Sequence, residues 1–331
     1  MIATPHTPTE IAQWLQQFGH AWGDENLRDI DAGRAAMMDG SEADYRALVR
    51  SFQTLDANVE ALVGRRHRRE LSADGDVGPA TLEVMAYPRC AMPDFAPPPH
   101  ASFHYDDPEL QAAVESYQQF ADEYKGGSGS WPKGCDPQVP NYHSARANVM
   151  MGGASAHQKA TWAECAKMVE KCLADMGHSI RHVLEGDPKD CEHDVRFQSI
   201  AGSTIGFAYF PTPNTCNQTV NARLDNGFNP RATVLAELYV HEYQGHSIGL
   251  QHTRGGIMNP SIGSPQNPPS FKGDPSEATV RRYFGGVAIP KTPTTPTDPT
   301  NPIPGDPWAG SSITVQLPGK PPRRFIPAIE V

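Results

Sequence analysis

Hydrophobic positions recur at helical spacing through the first quarter of the chain. "EIAQWLQQFG", "SEADYRALVRSFQTL" and "ANVEALVGRRH" each repeat apolar residues every three or four positions, which predicts amphipathic helices. "DGDVGPATLEVM" adds a short helix opened by a Gly-Pro turn. Residues 10–86 therefore read as a small helical domain. From 91 to 142 the pattern breaks, and Pro-rich "APPPHASFHYDDP" and Gly/Ser-rich "KGGSGSWPKGCDPQVP" bracket one helical stretch, "ELQAAVESYQQFADEY". This reads as a connector with an exposed, cleavable loop around 126–130.

Between 143 and about 286 helical and alternating patterns mix. "ARANVMM", "SIRHVL", "DVRFQSI", "TIGFAYF" and "TVNARLD" predict strands, and "SAHQKATWAECAKMVEKCLADMG" predicts a long amphipathic helix. A further helix runs through "NPRATVLAELYVHEYQGHSIGL", with Asn229 expected as its cap and Pro230 at its first position. A turn, "GGIMNPS", and a last helix, "PSEATVRRYFGG", follow. Beyond 288 a Pro recurs at nearly every third position, which predicts an extended linker, and residues 308–331 are too few for a domain of their own.

Composition narrows the functional classes. A net charge of -10 argues against a nucleic-acid partner, since phosphate binding draws on clustered Lys and Arg. The one basic run, "RRHRRE" at 65–70, reads as a solvated helix end. No apolar run approaches the ~20 residues of a membrane span, and "MIATPHTPTE" lacks the layout of a secretory signal. Of the six cysteines, Cys165 and Cys172 lie two turns apart on one helix face. That is about 10 Å, too far for a mutual bridge. Each could instead reach Cys135, Cys191 or Cys216. "NQT" at 217–219 matches a glycosylation acceptor, a short pattern of low specificity.

The chemistry concentrates in "HEYQGHSIGLQH". Neutral imidazoles on a rigid helix are good zinc ligands, and a catalytic zinc needs three of them with one position left open. His241, His246 and His252 fit that need, with Glu242 as the general base and Gly249 letting the chain leave the helix in a left-handed conformation so that His252 can swing back. The spacing is unusual. Residues four apart on a regular helix diverge by about 40°, but residues five apart by about 140°. One π-type bulge near Gln244-Gly245 would absorb the extra residue and restore a common face.

At these residues the chain resembles the metzincin metalloproteases, in particular the matrixins or matrix metalloproteinases. "GHSIGLQH" and "GGIMNPS" are similar to that family's zinc segment and to the Met-containing turn beneath the metal, where Met258 falls. The family spaces its first two histidines by four residues. "HEYQGH" instead has the spacing of dipeptidyl peptidase III, an unrelated zinc peptidase family. The resemblance implies an α/β catalytic domain with a mixed sheet and a zinc helix, an edge strand at "TVNARLD", and "PSEATVRRYFGG" as closing helix.

A second resemblance precedes it. The first half of "DGDVGPATLEVMAYPRCAMPDF" looks like the end of a peptidoglycan-binding-like helical domain, and "PRCAMPD" like the cysteine switch that matrixin propeptides place over the zinc. It implies that Cys90 caps the metal in a latent form and that Arg89 and Asp94 pair to fix the loop. The expected architecture is α+β: a helical prodomain over 1–95, a connector over 96–142, a metzincin-like domain over 143–287 and a Pro/Thr-rich tail over 288–331. The implied function is a zinc-dependent endopeptidase made as an extracellular zymogen, acting on protein or peptide substrates. A competing reading is a cell-wall glycan-binding protein with a vestigial metal site. A third is a zinc amidase acting on wall peptides.

Overall fold

The computed structural model describes residues 7–20, 42–55, 71–97, 104–123, 144–191, 193–211, 220–253, 255–262, 267–284, 313–315 and 323–325. The expected helix at "ANVEALVGRRH", the basic run, the 126–130 loop, Cys135, Cys216, the "NQT" acceptor and most of the tail lie outside them.

Helix α1 (Pro8–Gln17) starts where Thr7 and Glu10 form a reciprocal capping box, with Pro8 at the first turn. It packs with α2 (Glu42–Leu55) and α3 (Pro79–Met85) around Ile11, Trp14, Leu15, Phe18, Leu48, Phe52 and Met85. Gln53 closes this bundle by accepting from the Gly75 amide and donating to the Asp76 carbonyl, which pins the "DGDVG" loop to α2. The chain then enters strand β1 (Arg89–Cys90) and helix α4 (Pro108–Glu123).

The sheet follows: β2 (Ser144–Met150), helix α5 (Ala156–Ala174), β3 (Ser179–Leu184), β4 (His193–Gln198), β5 (Thr204–Ala208) and β6 (Val220–Asp225). A Ser155–Gln158 capping box opens α5, and Trp162, Cys165, Val169, Cys172 and Leu173 recur on its buried face. Cys165 and Cys172 are thus core thiols on that buried face and are not in disulfides. The six strands run in the order β1-β5-β6-β4-β2-β3, with β5–β6 antiparallel and every other pairing parallel.

Two expectations are corrected. "TVNARLD" is not the edge strand: β6 lies inside the sheet between β4 and β5, and β5 takes the outer position with β1 laid alongside it. β4 pairs along one margin of β6 and β5 along the other, and Arg223 is buried with Glu109 of α4 on its guanidinium and Asp194 of β4 3.8 Å away. β6 therefore has no solvated margin. Asn229 and Pro230 do not open the next helix either: α6 (Ala232–Val240) has Arg231 at its cap position. Asn229 instead meets Ser155 at the start of α5, and the Pro230 carbonyl accepts from His157 Nε2 at 2.7 Å, so the segment is spent on tying two helices together.

After α6 the helix widens into a π turn (His241–Gly245), tightens into a 3-10 turn (His246–Ile248) and ends at Gly249 with φ 90°, the left-handed conformation that favours glycine. Helix α7 (Glu277–Phe284) follows. Residues 1–125 and 129–287 form one compact unit; 126–128 with 288–331 form another, in which β7 (Ile313–Val315) and β8 (Arg323–Phe325) pair antiparallel. Among the described residues no helix is long and apolar enough to cross a membrane.

Candidate metal centre

The π turn decides where the two helix-borne histidines point. With five residues taken up in one wide turn, His241 and His246 return to one face, their ring centroids 4.9 Å apart and nearly perpendicular. The left-handed Gly249 reverses the chain, and His252 comes back to 5.3 Å from His241 and 4.9 Å from His246. Cys90 arrives from β1. One ligand atom from each of Cys90, His241, His246 and His252 lies within 4.8 Å of all the others, and all four residues are buried.

Each ring is oriented by its other nitrogen. His241 Nδ1 donates to the Ile257 carbonyl at 2.7 Å, His246 Nδ1 to the Leu250 carbonyl at 2.9 Å, and His252 Nδ1 to Asp94 Oδ1 at 2.9 Å. A carbonyl or ionised carboxylate only accepts, so the proton sits on Nδ1 and the Nε2 lone pair faces the cluster. Nε2 of His241 and of His252 has no hydrogen-bond partner although buried, and that of His246 meets only Cys90 Sγ at 3.4 Å. Burial holds all three rings below the usual histidine pKa, His241 at about 3, so they stay neutral as metal ligands must. Inward lone pairs, outward protons and a thiol make a buried donor set compatible with a bound metal ion.

Glu242 is fully buried with neither oxygen hydrogen-bonded to backbone or amide, and burial pushes its pKa up to about 8, moderated by the Cys90 thiol. Gly206 of β5 makes room for it: a Cβ there would stand 2.8 Å from Glu242 Oε1. Burial, then the Glu242 charge, pushes the Cys90 thiol well above its ordinary value, and a bound cation would reverse that. Met258 lies buried against Gly245 of the π turn, and its carbonyl accepts from the Thr253 amide. Asp274 accepts from the Ile257 amide at 2.6 Å and so fixes the carbonyl that orients His241.

Arg89 and Asp94 do pair, through Arg89 Nη2 at 2.6 and 2.7 Å from the two carboxylate oxygens. The same carboxylate also meets His20 at 2.9 Å, and the Arg89 guanidinium lies over the rings of Trp14 and Phe18. The sequence carries no sign of His20, which stands alone after α1 with no motif around it. Nor does it show the part played by α4: Phe120 packs on Gly249, and Phe210 is stacked on Tyr117 and tilted against His246. The expected connector helix is thus a wall of the centre. In comparisons with known proteins, no family model matches the chain and no curated protein matches it.

Proposed function

We propose that the chain is a zinc metalloendopeptidase held latent by its own N-terminal part. The observation that carries this reading is the seat of the segment around Cys90. Extended backbone is gripped on both edges: Arg89 N–H donates to the Ser203 carbonyl and Ala91 N–H to Gly206 on one side, while Cys90 N–H donates to Pro260 and the Pro88 carbonyl accepts from Ile262 on the other. A peptide strand therefore lies across the cluster of three histidines and a buried carboxylate, with a side chain on the cluster. A slot that reads main chain in this way is suited to peptide substrates.

Bound zinc would supply Lewis acidity, polarising a carbonyl and acidifying water. The chain's own residues supply the rest. His241, His246 and His252 would hold the ion, and Glu242, buried and short of partners, would take a proton from the attacking water and return it to the leaving amine. Cys90 stands beside both Glu242 and His246, where water must enter, so its presence keeps the chain inactive. Extracellular action goes with this reading. The cell-wall-binding alternative is less well supported, because Trp14, Phe18 and His20 of the helical part are buried against the switch segment. Casein and peptidoglycan digestion compared side by side would separate a general endopeptidase from a wall amidase.

The test is metal analysis followed by proteolysis assays. One zinc per chain is expected, with Glu242→Ala keeping the metal and losing roughly 10²–10⁴ in hydrolysis. Unprocessed Cys90→Ser should be more active than the unprocessed wild-type chain. Absence of zinc, or full activity in Glu242→Ala, defeats the proposal.

A further inference from the structure

Two of the three histidine protons are satisfied by backbone carbonyls, Ile257 and Leu250, that belong to the same stretch of chain as the histidines. The third is not. His252 Nδ1 is met by a carboxylate 158 positions earlier in sequence, four residues after the switch cysteine. Asp94 is itself held by Arg89 on both oxygens, by His20 Nε2 on Oδ2, and by its own amide donating to the Phe18 carbonyl at 2.8 Å. His20 in turn meets Ser51 Oγ of α2 at 3.1 Å. A continuous polar path thus runs from the N-terminal helices to a candidate metal ligand.

We infer that Asp94 is the positioning residue for His252, so that the segment which blocks the centre also completes the ligand set, and removing it strips one histidine of its orienting partner. This rests on the metallopeptidase reading above. A buried Arg–Asp pair is an expensive way to fix a loop, because apolar residues of the same shape often serve as well. A carboxylate that must face an imidazole N–H has no apolar substitute. Groups that fix a ligating histidine in this way typically change metal affinity by about 10–100-fold. The latent chain is then the form that loads metal best, for a reason separate from the thiolate of Cys90.

The experiment is zinc competition against a chromophoric chelator on the full chain, with Asp94→Ala, Asp94→Asn, Cys90→Ser and the Asp94→Ala/Cys90→Ser pair. Asp94→Ala should loosen zinc about 10–100-fold, and Asp94→Asn, which keeps an acceptor, less. The loss should persist at similar size when Cys90 is already Ser, because it acts through His252. A loss that vanishes in the Cys90→Ser background would show that Asp94 merely places the cysteine, and overturns the inference. Should Asp94→Ala not fold, the wild-type zinc-loaded chain answers instead. Nitrogen-15 histidine spectra should show a slowly exchanging Nδ1–H on His252 as on His241 and His246, and a rapidly exchanging or absent proton on His252 overturns the inference. Zinc taken up equally well with and without the Asp94 carboxylate overturns this inference alone. A chain that takes up no zinc overturns the metallopeptidase reading with it.

Discussion

Gly245 has no room for a methyl group, because a Cβ there would run into Met258 Sδ. Its backbone lies at φ -82°, so the constraint is one of space and not of handedness. Gly245→Ala should cost about 1–3 kcal/mol in urea unfolding, and Met258→Ala in the same chain should recover part of it; independent, additive losses would show that the two do not touch. A second residue reports through pH. Burial, helped by the Asp274 carboxylate, pushes the Glu237 pKa up to about 7. The folded chain keeps a proton there that the unfolded chain has lost between about pH 4.5 and 7, so stability falls as pH rises through that window and is level above it. Glu237→Gln, which mimics the protonated form, should therefore raise the thermal midpoint at pH 7.5 and leave it nearly unchanged at pH 4. An equal shift at both values would mean that Glu237 does not titrate in the fold.

At the level of elements, the π turn is the feature on which the centre depends. Deleting Gln244 should let His241–Ile248 continue as a regular helix with its histidines four apart, about 40° from each other, and zinc should still bind at one per chain. Inserting an alanine after Gln244 instead should turn His246 away and abolish binding, and zinc content by mass spectrometry distinguishes the two outcomes. The bulge was legible because it follows from counting residues between two histidines. Helices α1, α2 and α5 and strands β2 to β6 were legible for the same kind of reason, since periodicity and caps are local. What could not be read depends on partners far apart in sequence. Arg223 sits in an ordinary alternating stretch, and only β4 and β5 pairing on its two sides make that stretch an inner strand, with Asp194 and Glu109 meeting the guanidinium it buries. Asn229 and Pro230 have the composition of a helix start, but Ser155 and His157 use them elsewhere. The Asp94–His252 bond joins segments whose separation carries no periodic trace.

On the scale of the whole molecule, the proposed latency would rest on far more than one thiol. Arg89 is held over Trp14 and Phe18, the Tyr105 hydroxyl donates to the Gln17 carbonyl, and α4 carries Tyr117 and Phe120 onto Phe210 and Gly249. Glu109 and Ser116 of the same helix bond to Arg223 and to the Phe210 amide. Under the proposed function, the contacts of Tyr117, Phe120, Glu109 and Ser116 join residues on either side of the 126–130 stretch, so cutting there breaks one covalent link and leaves this apolar and polar grip intact. The nicked chain should therefore remain an inhibited complex, with residues 1–125 eluting together with the rest at concentrations on the order of 10 µM. Activity should appear on dilution or after further digestion of the N-terminal piece. Cys90→Ser removes the metal-directed contact and Phe18→Ala the packing under Arg89, so each should move dissociation to a higher concentration, and the pair further than either. Size-exclusion chromatography and peptidase activity, followed across a dilution series of the nicked protein, check this together. Complete separation and full activity at the highest concentration would mean that the single covalent link, and not the interface, keeps the centre closed.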